Sequence, residues 1–212
     1  METGGGSTRT LSSTNHCLRA HKIRYGGTIL TLYSDTSSVG FFYNPGDYGY
    51  KNYYALNLAF TTTFTMSGPG PVPDRQDVPH PHFVVADPTG RYLFFPDLGA
   101  DLIRMYQVTT GSGGTVIQTK ALEPFKVVPG SGPRHGAFAK VNGSTFFYTV
   151  NELGNSITGY QVTYVSGAAP KLTQILNFST HGPNGSVPTG TKAAEIVVSV
   201  SLPRSLSSGN TH

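Results

Sequence analysis

Two stretches of this chain copy one another. PHPHFVVADPTGRYLFFPDLGADLIRMYQV starts at Pro79, and GPRHGAFAKVNGSTFFYTVNELGNSITGYQV starts at Gly132. Superposed with one small gap, they set His82 on His135, Asp97 near Glu152 and Tyr106 on Tyr160. The first of these pairs is 53 residues apart and the last is 54. A third copy starts at KAAEIVVSV, where Glu195 takes the place of the two histidines. A unit of this length recurring in tandem is one supersecondary element that cannot bury its faces alone and must stack on its neighbours.

The unit itself reads as four short strands. In the first copy they fall at Phe83–Ala86, Arg91–Pro96, Leu102–Val108 and Thr115–Leu122, each rich in β-branched or aromatic residues. Asp87-Pro88-Thr89-Gly90 is a turn, because proline presets one backbone angle and glycine tolerates positive φ. Leu98 to Asp101 and Gly111–Gly114 supply the next two turns. Four antiparallel strands recurring at this spacing describe a blade of a β-propeller. The chain has no tryptophan, so no WD dipeptide is present.

Composition narrows the alternatives. Charged residues make up only 12% of the chain, but with 26 glycines counted beside the apolar residues the total is that of a globular protein. Twelve Tyr and twelve Phe, and no stretch with sustained helical periodicity, make the class all-β. The net charge of +4 is scattered rather than gathered in a stripe, which argues against a nucleic-acid partner; it fits attraction for small anions or ordinary solubility. Cys17 is the single cysteine, so an internal disulfide is excluded. No run reaches membrane-spanning length, and METGGGSTRTLSSTNH does not read as a signal peptide. The expectation is a cytoplasmic protein without a membrane partner.

Blade geometry has a functional consequence. The first strand lies innermost and the second returns beside it, so the start of one and the end of the other share a mouth of the propeller. His82 and Asp97 fall there from one copy, His135 and Glu152 from the next, and Glu195 from the third. Residues distant in sequence thus converge on one central pocket, where ligand sites form.

The motifs RQDVPHPH (Arg75–His82), PDLGADLIRMY (Pro96–Tyr106), GSGPRH (Gly130–His135), NELGNSI (Asn151–Ile157) and AAEI (Ala193–Ile196) occur in one order and spacing. In these the chain resembles the lactonase-type seven-bladed propellers, which include bacterial 6-phosphogluconolactonases and fungal 3-carboxy-cis,cis-muconate lactonizing enzymes. The resemblance runs from about Met66 to Val198, and Tyr25 to Leu32 is similar to the start of an earlier blade. It predicts a partial propeller of about four blades over 25–198, after a poorly patterned segment 1–24 and before a divergent polar tail 199–212. Past Val198 the family continues with a Ser-Pro-Asp-Gly turn and a Ser-Asn-Arg motif, whereas SLPRSLSSGNTH follows here. An arc of blades leaves strand edges unpaired, which predicts instability or self-association through them. Secretion of a longer parent form stays open.

The resemblance implies catalytic roles for His82, Arg134 and Glu152, with His80, His135 and Glu195 binding substrate. Arginine suits a carboxylate or phosphate, because its planar fork meets two oxygens. Histidine transfers protons near neutral pH, and glutamate orients the histidine, holds a hydroxyl or acts itself as acid or base. The structural alternatives are a blade-closing salt bridge for Arg134, a capped strand-start histidine at His82 and backbone contacts for Glu152. Asp97 and Asp101 read as turn residues that accept backbone N–H groups. His80 and His82 lack a third ligand at a diagnostic spacing, so neither a metal nor another cofactor is expected. The implied partner is a small anionic lactone or muconate-like acid, which the protein forms or hydrolyses. The rival reading is a non-catalytic binding module or a degenerate paralogue. The fungal character of PHPHFVVADPTG favours the carboxymuconate branch.

Overall fold

The structure is a computed structural model that describes residues 17–22, 28–34, 38–43, 57–110 and 117–199, with side chains within 62–109 and 118–199. Among the described residues every regular element is a strand. The first sheet runs β1 (Cys17–Lys22), β2 (Thr28–Ser34), β3 (Ser38–Tyr43) and β4 (Asn57–Thr63), all antiparallel and in sequence order. The second runs β5 (Val85–Ala86), β6 (Tyr92–Asp97), β7 (Leu102–Thr110) and β8 (Ile117–Ala121), with β9 (Phe125–Lys126) also on β7. The third runs β10 (Pro133–Val141), β11 (Ser144–Asn151), β12 (Ser156–Thr163) and β13 (Lys171–Ser179). The second and third of these meanders are the two blades that the repeat copies at Pro79 and Gly132 predict; the first precedes the repeat, and three rather than about four blades stand among the described residues. No helix of the described residues is long and apolar enough to cross a membrane.

Several boundaries differ from the sequence expectation, each for a local reason. Thr28–Ser34 is the second strand of its sheet, so the first blade begins with β1 rather than at Tyr25. The first strand expected at Phe83–Ala86 shrinks to two residues plus an isolated bridge from Pro81 to Asp97. Pro79 and Pro81 have no N–H to give, so no continuous ladder can form there. The outer strand of the second blade breaks into β8 and β9 around Pro124 for the same reason. Gly111–Gly114 lies outside the described residues. The third copy, expected at KAAEIVVSV, carries no strand over 191–199, because no described segment pairs with it.

The third blade has the cleanest local logic. Val141 pairs with Ser144, leaving Asn142-Gly143 as a two-residue hairpin loop with φ of 48° and 79°. Both central residues at positive φ is the type I′ geometry that matches strand twist, and Asn-Gly is the pair that adopts it most readily.

Among the described residues, a hydrophobic core lies between the second and third blades. Strand β6 is buried at every position, so both of its faces are covered. Alternation sends Tyr92 and Phe94 one way, to join Ile103, Met105, Phe147, Tyr160, Val162 and Leu172. Phe94 meets Phe138 edge-on at 5.0 Å and Phe147 at 5.1 Å. Each such ring contributes about 1.5–3 kcal/mol through burial, and each pair adds about 0.5–1.5 kcal/mol. On the other face Phe95 packs on Tyr106, which meets Phe64 beyond the end of β4. A polar tie supplements this packing: the Tyr164 hydroxyl of the third blade donates to Asp87 of the second at 2.7 Å.

Candidate active site

The arm that carries His82 is held from beneath. Asp97, fully buried, accepts the His80 backbone N–H at 2.8 Å and the Ala100 N–H at 3.0 Å on one oxygen. Its other oxygen takes the Arg104 Nε–H at 2.6 Å. Gly99 permits the close approach, since a Cβ there would lie 1.9 Å from the Val78 carbonyl oxygen. His82 N–H then donates to Pro96 O at 2.9 Å, which seats the imidazole at the mouth end of β6. Asp101 likewise ties down the Gly130–Gly132 loop by accepting N–H groups from both glycines at 2.6 and 2.8 Å. Both aspartates thus hold backbone, as expected.

Arg134 owes its orientation to a β-bulge. Pro133 pairs with Asn151 and His135 with Val150, so Arg134 is the extra residue between them. A bulge re-aims the side chain it inserts, and sites at sheet ends use this. The same register corrects the repeat alignment. Asp97 ends β6 opposite Leu102, and Asn151 ends β11 opposite Ser156, so Asp97 corresponds to Asn151. Glu152 stands where the second blade has the buried Leu98. A carboxylate replaces an apolar side chain in the first residue of the turn.

That carboxylate is the centre of the cluster. Glu152 is 5% exposed. Its Oε1 takes Arg75 Nη2 at 2.7 Å and Nε at 3.2 Å, with Lys192 Nζ 3.8 Å away. Its Oε2 lies 2.9 Å from Arg134 Nε. That last contact is a close charge pair off the N–H axis rather than an aligned hydrogen bond. The Arg134 Nη1 group donates to Ala194 O and lies 3.4 Å from His135 Nε2. His135 Nδ1 is 2.8 Å from Glu195 Oε1. A carboxylate accepts there, so the ring carries its proton on Nδ1 and turns a lone pair toward Arg134.

His82 completes the group. Its ring sits 5.2 Å from that of His135, which stacks on Phe83 at 4.6 Å. Burial pushes the His82 imidazole down to about 3, and the Arg134 charge adds to the effect. It is therefore uncharged at neutral pH.

Five of the six residues singled out in the sequence thus meet: His82, Arg134, His135, Glu152 and Glu195. His80 does not join them, because its ring turns outward to Asp77 Oδ1 at 3.0 Å. Glu195 arrives on irregular chain rather than on a strand. Sequence reasoning missed Arg75 and Lys192. Arg75 opens the RQDVPHPH motif and Lys192 directly precedes AAEI, but neither position repeats between copies and so neither stood out. Among the described residues no three His, Cys, Asp or Glu side chains are grouped so as to hold a metal.

A fold of successive antiparallel four-stranded blades places the chain among the β-propellers. A family model described as "Lactonase, 7-bladed beta-propeller" matches residues 52–202, and the chain belongs to that family. A protein of Arthroderma benhamiae named a probable 6-phosphogluconolactonase is 43% identical over 141 residues, covering 65% of this chain and 33% of the relative. A 6-phosphogluconolactonase of Formosa agariphila is 38% identical over 97 residues, 46% of this chain and 27% of the relative. This chain therefore spans about a third or less of these curated relatives. Among solved structures, a candidate 6-phosphogluconolactonase of Bacteroides fragilis superposes with a TM-score of 0.58 at 30% identity, covering 74% of this chain and 41% of that one. A periplasmic gluconolactonase of Pseudomonas aeruginosa does so with a TM-score of 0.54 at 27% identity, covering 77% and 40%.

Proposed function

We propose that this site opens the ring of a small anionic lactone by hydrolysis, with 6-phosphogluconolactone the first substrate to test. The observation that carries the reading is the placement of bulge residue Arg134 beside an uncharged His82. The guanidinium faces negative charge as it develops on the lactone carbonyl oxygen. The imidazole accepts a proton from water as the water oxygen bonds to the carbonyl carbon. The ring C–O bond then breaks, and the same proton passes from His82 to the departing ring oxygen. The resulting acid loses its own proton to solvent.

An imidazole held near 3 is a weak base in the empty site. A bound anion offsets the Arg134 charge, one of the causes of that depression, and so raises the basicity of His82 when substrate is present. Glu152 is read as a positioning residue rather than a proton carrier, because both of its oxygens face cations. The His135–Glu195 pair sets the tautomer that lets His135 accept from Arg134. His80 receives no role. The relatives reported above carry hydrolase names and none is named a muconate cyclase, so hydrolysis rather than cyclisation is the reading adopted.

The test is to follow acid release from 6-phosphogluconolactone by the purified chain against the spontaneous rate. Arg134→Ala should lower kcat/KM by about a hundredfold or more, the scale of losing a charged transition-state contact. Turnover that persists in Arg134→Ala, or no turnover by the unmodified chain, would sink hydrolysis at this site. In the second case ligand binding without chemistry would identify a binding module.

A further inference from the structure

Among the described residues, three cations surround one carboxylate at this mouth. Arg134, the least exposed of them, faces the histidines, while the Arg75 and Lys192 side chains are 40% and 49% exposed and both approach Glu152 Oε1. Neither outer cation is well used by that contact. The Arg75 fork directs Nε and Nη2 onto a single oxygen, although guanidinium geometry fits two oxygens side by side. The Lys192 ammonium stands 3.8 Å off, beyond hydrogen-bond distance. Among the described residues, adding Glu195 to Glu152 still leaves two carboxylates against three cations, with His82 uncharged. Unspent positive charge on the solvent side of the cluster attracts an anion from water.

From this arrangement we infer that Arg75 and Lys192 form an outer subsite for a terminal phosphate ester. It discriminates phosphorylated from unphosphorylated lactones at the site proposed above. The inference rests on that reading and adds the residues that set its specificity. A phosphate offers Arg75 two oxygens in place of one, and a third remains for Lys192. Glu152 holds both side chains ready while the site is empty and keeps Arg134 directed at the lactone end. Both outer cations approach Glu152 Oε1, whereas Arg134 faces Oε2, so they select substrate by its far end and leave the ring chemistry to His82 and Arg134.

The experiment compares kcat/KM for 6-phosphogluconolactone with that for gluconolactone in the unmodified chain, Arg75→Gln and Lys192→Gln, with thermal melts run alongside. The preference for the phosphorylated substrate should fall by about tenfold or more in each variant, mainly through KM, the scale of one charge-assisted contact to a phosphate. A preference that survives both substitutions, or equal losses on both substrates, overturns the subsite while leaving hydrolysis intact. If the unmodified chain turns over neither lactone, hydrolysis fails, and calorimetric titration with 6-phosphogluconate and gluconate decides the subsite separately. Tighter binding of the phosphorylated acid that Lys192→Gln abolishes then supports it; equal binding of the two, or binding of neither, overturns it. Should Arg75→Gln fail to fold, the exposed Lys192→Gln carries the decision.

Discussion

His82 should make the folded protein lose stability in mild acid. Burial and the neighbouring Arg134 hold its imidazole near 3, whereas an unfolded histidine titrates near about 6.5. As pH falls through that window the unfolded chain gains a proton that the folded one refuses, so folding becomes less favourable. Above the unfolded value neither state binds the proton and no penalty exists; below the folded value the penalty levels off. Linkage costs about 1.4 kcal/mol per pH unit once the unfolded form is mostly charged, which comes to about 2–3 kcal/mol near pH 4.5. That figure changes little whether the folded value is about 3 or about 4, since the folded ring stays mainly neutral in both cases. Partial solvent access trims it to about 2 kcal/mol. The assay is urea unfolding from about pH 7 to pH 4.5 on the chain and on His82→Gln. The variant cancels contributions from all other titrating groups, so the gap between the two curves isolates this one. Parallel curves, or an NMR titration of the His82 ring with a midpoint near 6.5, would refute the account of the site as desolvated and cation-flanked.

Two further outcomes follow from the ties that hold the site. Asp97→Asn keeps an oxygen for the His80 and Ala100 N–H groups but turns an amide toward Arg104, whose side chain is 13% exposed. Urea unfolding should show a loss of about 2–4 kcal/mol, largely recovered in Asp97→Asn with Arg104→Met; a loss below about 1 kcal/mol would contradict a buried pair. Tyr164→Phe removes the hydroxyl bond to Asp87 while sparing the ring stack on Tyr92, and should cost about 1 kcal/mol in the same assay. In the intact protein burial and the Asp87 carboxylate push the Tyr164 phenol well above its ordinary value, so its ultraviolet titration should begin later than that of an exposed tyrosine.

How the chain spells out its own structure differs from feature to feature. The repeat at 53 and 54 residues, the Asp-Pro-Thr-Gly turn and the aromatic strands were enough to predict tandem antiparallel blades, because period-2 alternation and turn chemistry are local properties. Strand β6, expected at Arg91–Pro96, lies one residue later at Tyr92–Asp97. Strand direction put His82, Asp97, His135, Glu152 and Glu195 at one mouth, whereas Arg134 was singled out by the resemblance instead.

Other features depended on contacts that no local pattern encodes. Superposing the copies set Asp97 beside Glu152, but the hydrogen-bond register matches Asp97 to Asn151 and leaves Glu152 to the turn. One inserted residue shifts every later position, and only the pairing partner shows where the insertion lies. The bulge that turns Arg134 toward Glu152 is of this kind. Arg75 and Lys192 stand 77 and 40 positions from Glu152 and carry no repeating mark, so their approach is a product of folding alone. Sequence by itself determined the blade, its turns and the end at which the polar cluster gathers, because these follow from backbone geometry over a few residues. Only the tertiary structure decided the ionic partners and the neutral state of His82, because desolvation and Coulomb forces depend on distance in space rather than along the chain.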